Sequence, residues 1–308
     1  MVLTVLFLTG VLVFPDAGTR PPESLAILMV VFSPAAMLGV RQGNIDQCMF
    51  FVLAMSVIGM ASRRGWARAL GLGGVLAGMA LKIYPVFGAG PVCAWEKKRR
   101  SAAIVLIAAG AALYASTHWD EMRAIQQATP MADNTSYGRS VLWMRVSREY
   151  PAMGEVVKVL SWAGVVAGLV LIPLGLRAAA AGSAGDAPSR RALAAFQCGA
   201  GIYCGTFLLG NNWDYRLMFL AFAMPFLASL SRRGGNAAAW VSRVALVAVI
   251  VSCWHIAIWS LARIHPFGSP LSVALDEACN WLAYLGLMFL SGFSLRCVTG
   301  EPRALTAQ

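Results

Sequence analysis

In the stretch Asn211-Asn212-Trp213-Asp214-Tyr215-Arg216, two amides, a carboxylate, a guanidinium and two aromatic rings stand between apolar runs. Amides and a carboxylate bind hydroxyls, and a guanidinium offers a fork to phosphate, so the set suits a sugar-phosphate pocket. The plainer alternative is that Asp214 and Arg216 neutralise one another while Trp213 and Tyr215 anchor at a membrane interface.

Two other places carry similar groups. In "VRQGNIDQ" (40–47), Arg41 is a candidate for phosphate, and Asn44 and Asp46 for sugar hydroxyls. An ordinary polar turn with Asn or Asp capping a helix is the competing reading. In "LKIYP" (81–85), Lys82 interrupts an apolar run with Tyr84 beside it. Ionisable residues inside such runs usually face a cavity or a partner, although a lysine can also snorkel to the interface. The candidate phosphate contacts are therefore Lys82, Arg216 and Arg41. The candidate substrate contacts are Asn44, Asp46, Tyr84, Asn212, Asp214 and Tyr215.

The elements that must position these residues are membrane helices. The chain has 308 residues, 58% hydrophobic and 13% charged, with a mean hydropathy of +0.66. Soluble domains carry about 25% charged residues. Apolar runs recur at about 2–14, 25–40, 48–61, 69–95, 102–117, 156–176, 192–209, 217–230, 238–262 and 279–295. The reading is one all-α, polytopic transmembrane domain over residues 1–308.

The net charge of +11 would suggest nucleic acid in a soluble chain. In a membrane protein it marks cytoplasmic loops instead, and no nucleic-acid partner is expected. The seven cysteines are scattered with no C-x-x-C pair, and the three histidines form no ligand cluster. No metal, cofactor or redox framework is expected.

Basic residues also orient the chain. "RRGWAR" (63–68) and "EKKRR" (96–100) fall on one side only if the run 69–95 is two short helices turning at Lys-Ile-Tyr-Pro. Proline supplies the break. With that turn the count is about eleven membrane segments. "VRQGNIDQ", "LKIYP", the loop 118–155 and "GNNWDYR" (210–216) then share the extracytoplasmic face. Within 118–155, the stretch around Val141 to Arg148 reads as a basic amphipathic helix in the interface plane. His118, Asp120 and Glu121 add acids and bases there without assigned roles. Residues 178–191 read as a flexible cytoplasmic linker and 297–308 as a short tail.

"SPAAMLGVRQGNIDQCMFFVLAM", "GGVLAGMALKIYPVF" and "LLGNNWDYRLMFLAFAMP" together resemble the GT-C membrane glycosyltransferases, most closely glycosyltransferase family 87. That family includes polyprenyl-phosphate-dependent alpha-mannosyltransferases. The resemblance implies a polyprenyl-phosphate sugar donor, a glycolipid or glycan acceptor among the membrane lipids, and no nucleotide sugar. It also implies a bacterial inner-membrane location with the active face extracytoplasmic, and a long loop covering the donor site. In the family the catalytic acid lies in the first extracytoplasmic loop. By the helix count, that loop and the first helix lie upstream of Met1, so the general base is expected there and the catalytic residue of this chain is unknown. The amino-terminal run "MVLTVLFLTGVLVF" has no positive n-region or cleavage site and reads as a span entered midway. A flippase or transporter of a lipid-linked substrate, and a catalytically inactive membrane scaffold, are the rival readings.

Overall fold

The structure, a computed structural model, describes residues 1–128, 130, 135–181, 188–265 and 268–299. The apolar runs fold as helices. They begin with α1 (Val2–Val13), α2 (Pro21–Val31), α3 (Pro34–Arg41), α4 (Asp46–Ala61) and α5 (Gly65–Leu81). A 3-10 segment, Tyr84–Ala94, leads to α6 (Lys97–Thr117) and α7 (Trp119–Ala128). Next come α8 (Val141–Glu149), α9 (Pro151–Ala181) and α10 (Arg190–Leu209). A second 3-10 segment, Asp214–Ala223, precedes α11 (Met224–Ser231), α12 (Ala237–Ala262) and α13 (Gly268–Thr299). The sheet among the described residues is one short antiparallel pair, β1 (Ser136–Tyr137) with β2 (Asn212–Trp213).

Helix starts follow local chemistry. Ser33, Ser189 and Asn236 each cap a helix by accepting the backbone N–H three residues on, at 3.2, 3.1 and 2.8 Å. Such caps satisfy donors that have no partner inside the helix. Five helices, α6, α9, α10, α12 and α13, are long and apolar enough to cross a membrane. Helices α2 and α3, bent by 50° at a short break, make a sixth if they form one span. The chain is a helical membrane protein.

The break expected at Lys-Ile-Tyr-Pro is present. Helix α5 stops at Leu81, Lys82 is extended with φ −151° and ψ 136°, and the first 3-10 segment runs back from Tyr84. Its return brings the two basic clusters together, since the Arg68 guanidinium lies 5.9 Å from the centre of the Trp95 ring. Prolines 85 and 91 lie inside this segment, where each removes a backbone donor. It runs for 11 residues, whereas 3-10 helices usually stop after about four.

Helix α10 is the centre of the bundle. It is buried along nearly its whole length, whereas α6 buries only Ala103. Both 3-10 segments press onto α10 through glycines. A Cβ on Gly201 would sit 2.2 Å from the Phe87 carbonyl oxygen, and one on Gly199 would sit 2.8 Å from that of Phe219. Phe7, Phe14, Phe50 and Phe222 fill the adjoining core with ring centroids 4.4 to 6.2 Å apart, distances that favour aromatic contact.

Residues 129 and 131–134 of the expected loop 118–155 lie outside the described residues, and the rest is largely regular structure. It holds α7, β1 and α8, and α9 already begins at Pro151. The amphipathic helix forms as α8, but its apolar side is not its whole buried face: Arg145 is buried alongside Val141. Helix α9 extends to Ala181 and α10 starts at Arg190, so helix replaces both ends of the expected linker 178–191. Residues 182–187 of that stretch lie outside the described residues, as do 300–308 of the expected tail 297–308.

Candidate functional site

Asp46 opens α4, where a carboxylate is favoured by the unpaired amide dipoles of the first turn. Its side chain is 0% exposed, so it needs compensating partners. Three arrive from distant parts of the chain. Lys82, at the end of α5, pairs with Oδ1, and the Tyr84 hydroxyl donates to the same oxygen at 2.8 Å. Arg216, from the second 3-10 segment, places Nε 3.6 Å from Oδ2.

The surrounding residues orient this core. Asn44 Oδ1 accepts from Lys82 Nζ at 3.3 Å and from the Asp46 N–H at 3.0 Å. Gly43 before it has φ +59°, a conformation that glycine adopts without steric cost. Arg216 donates to Asn212 Oδ1, and the Asn212 amide donates to the Thr206 carbonyl of α10. Thr206 Oγ1 is 2.8 Å from the Tyr137 hydroxyl, and the pairing of Tyr137 with Asn212 in the small sheet fixes both. The Arg216 guanidinium stands 5.1 Å from the centre of the Tyr84 ring and 5.9 Å from that of Tyr215, within cation–π range. Asn44 and Arg216 are the polar neighbours of the Tyr215 hydroxyl. Burial pushes the Tyr137 phenol well above its ordinary pKa, with the Arg216 charge opposing. It therefore serves as a neutral hydroxyl.

Seven of the nine candidate residues thus meet: Asn44, Asp46, Lys82, Tyr84, Asn212, Tyr215 and Arg216. One carboxylate faces two cations, leaving one positive charge in excess. Both cations keep an open side, the Lys82 and Arg216 side chains being 26% and 22% exposed. Asp46 Oδ2 and Arg216 Nε are buried and make no hydrogen bond among the described residues. The arrangement can bind an anion on the open side of the two cations.

Two candidates do not join them. Arg41 is exposed and has no ion-pair or hydrogen-bond partner among the described residues. Asp214 is buried at 2% exposure, and the charges acting on it most strongly are Glu277 and Arg145 rather than Arg216. The mutual neutralisation of Asp214 and Arg216 is replaced by the Arg216–Asp46 pair. Asp214 follows β2, and its N–H is held by the Thr135 carbonyl at 3.0 Å.

A second polar cluster, absent from the sequence reading, lies around Asp214. Arg145 of α8 pairs with Glu277 of α13 at 3.2 Å, with both side chains under 10% exposed. Asp276 lies 3.5 Å from His255 of α12 and accepts from Asn280 at 3.0 Å. Tyr203 donates to Asn280 Oδ1 at 3.0 Å and stacks on Tyr137 at 5.5 Å. The adjacent acids "DE" at the head of an apolar run were the available signal. The basic partner in α8 was not readable, because that helix suggested a surface role. Set against protein-family models, curated proteins and solved structures, the chain matches none of them.

Proposed function

We propose that this chain is a membrane glycosyltransferase of the GT-C type. It transfers a hexose, mannose by default, from a polyprenyl-phosphate donor to an envelope glycolipid or glycan acceptor. The reaction takes place at the extracytoplasmic face of the bacterial inner membrane. In this reading the shorter helices, including α1, α4 and α5, complete a bundle of about eleven membrane segments. The observation that carries the proposal is the convergence of Lys82 and Arg216, from segments far apart in sequence, around one buried carboxylate in a helical membrane protein.

Lys82 and Arg216 receive the donor phosphate, for which their excess positive charge is suited. Asp46 fixes both cations from its buried position, and Asn44, Asn212, Tyr84 and Tyr215 around it are assigned to the sugar hydroxyls. Arg41 and Asp214 have no substrate contact in this scheme. The acceptor oxygen bonds to the anomeric carbon as the bond from that carbon to the phosphate oxygen breaks. The polyprenyl phosphate leaves with the electron pair. The base that takes the hydroxyl proton is assigned to no residue of this chain.

The test is to incubate the purified protein with a panel of radiolabelled polyprenyl-phosphate sugars and membrane glycolipid acceptors. Sugar transfer with release of polyprenyl phosphate from at least one donor is expected. Movement of the intact lipid-linked sugar across a liposome bilayer, without bond cleavage, would replace the enzyme reading with a flippase. Neither transfer nor movement would leave the scaffold.

A further inference from the structure

The opposite end of the bundle holds a second site that the glycosyl-transfer reading does not use. Helix α4 runs from Asp46 to Ala61 and α5 returns from Gly65 to Leu81. At about 1.5 Å per residue, the two ends lie roughly 24 Å apart. At the far end a cavity of about 200 Å³ is lined by Arg68, Trp95, Arg190, Leu193 and Gln197, among others.

Among the described residues, the cations of this lining have no acid paired to them. Arg68 is buried, with Nε donating to the Ser62 carbonyl at 2.7 Å. Its two terminal nitrogens donate to no described residue. Arg190 and Arg99 act on it as like charges, and Glu96 is the opposing one. Glu96 is itself engaged by Arg99 at 3.7 Å, and Arg190 pairs with no described acid. Two guanidiniums therefore line one cavity with no described acid paired to either, an arrangement suited to a bound anion.

A polar acceptor completes the lining. Gln197 is 6% exposed, and its Oε1 accepts no hydrogen bond from the described residues, while its Nε2 reaches Ser294 at 3.4 Å. Trp95, Leu193 and Ala194 supply apolar wall. The required ligand is therefore an anion that also carries a hydrogen-bond donor and an apolar flank. The cavity is smaller than the roughly 300–1,000 Å³ of sites for drug-sized molecules, so it suits a headgroup and not a whole lipid.

We propose that this cavity binds the headgroup of an anionic glycerophospholipid, with Arg68 and Arg190 on the phosphodiester and Gln197 Oε1 accepting from a headgroup hydroxyl. Phosphatidylglycerol has that chemistry, and basic pockets between membrane helices are suited to such headgroups. The acyl chains lie outside, along the apolar helices.

Native mass spectrometry of the full chain in neutral detergent tests this. Phosphatidylglycerol, phosphatidic acid, phosphatidylcholine and inorganic phosphate are added separately. The wild type is expected to retain phosphatidylglycerol at least about fivefold over phosphatidylcholine. Arg190→Gln lowers that retention at least about threefold. Gln197→Leu removes the preference for phosphatidylglycerol over phosphatidic acid. Arg63→Gln, an exposed cation at the same end outside the lining, leaves all of these unchanged. Arg190 is exposed, so its variant reports on binding even where Arg68→Gln fails to fold. Equal retention of phosphatidylglycerol and phosphatidylcholine by the wild type overturns the proposal. An equal loss with Arg63→Gln does so too. Inorganic phosphate is then added to the phosphatidylglycerol-bound protein, and its complete displacement of the lipid would assign the cavity to a free anion and overturn the lipid reading.

Discussion

Replacing Asp46 with Asn keeps the shape of the side chain and removes the one negative charge that Lys82 and Arg216 share among the described residues. Breaking a buried ion pair by deleting one partner costs about 3–5 kcal/mol. Asp46 is fully buried, but the two cations are about one quarter exposed. Water can therefore reach the stranded charges, and the lower end, about 3 kcal/mol, is the fitting value. The Tyr84 hydroxyl keeps an amide oxygen as acceptor, so no further hydrogen-bond term is added. For a chain of this size each kcal/mol shifts the midpoint by roughly 2–4 °C, giving a fall of about 6–12 °C. The assay is thermal unfolding of the purified protein in detergent, followed by tryptophan fluorescence. Pairing Asp46→Asn with Lys82→Met in a double-mutant cycle should yield a coupling of about 1–3 kcal/mol. A midpoint within 1 °C of wild type, or strict additivity in the cycle, would refute the claim that Asp46 organises the two cations.

Further outcomes follow from individual contacts. Arg41→Ala should change transfer by less than about twofold and stability by less than about 0.5 kcal/mol, as for an unpartnered surface residue; a large loss of transfer would restore Arg41 to the site. Arg145→Ala strands the buried Glu277 carboxylate and should cost about 3–5 kcal/mol, read as a lower melting midpoint. Unchanged melting would mean that the α8–α13 pair does not hold the second cluster together. Gly201→Ala drives a Cβ into the Phe87 carbonyl and should cost about 1–3 kcal/mol. Gly73→Ala, with open space around it, should be neutral or stabilising by up to about 1 kcal/mol. Equal midpoints for the two glycine variants would contradict the tight packing of the first 3-10 segment on α10.

The sequence exposed the members of the Asp46 cluster because polar residues between apolar runs are rare enough to stand out. Lys82 marked a helix break, and Pro85 gave the break its cause. The pairing was less legible. Arg216 lies two residues from Asp214, which suggested a local ion pair, yet the 3-10 geometry aims Arg216 at Asp46 and leaves Asp214 to the Arg145–Glu277 side. Partner choice of this kind is set by tertiary packing, to which residue spacing is blind. Helix α8 taught the same lesson: its pattern of arginines implied an interface helix, while Arg145 is buried because α13 supplies a carboxylate. The two 3-10 segments, of 11 and 10 residues, were legible only as apolar runs, since hydrophobicity does not distinguish a 3-10 from an α-helix at that length.

Sugar transfer from polyprenyl-phosphate donors by the wild type, Lys82→Ala and Arg216→Ala, each confirmed as membrane-inserted, is the most direct test of the central claim. Removing a group that stabilises the departing phosphate costs about 10²–10³-fold in rate. The account predicts transfer by the wild type and a loss of at least about 100-fold in each variant, with insertion intact. Transfer retained by both variants would contradict it.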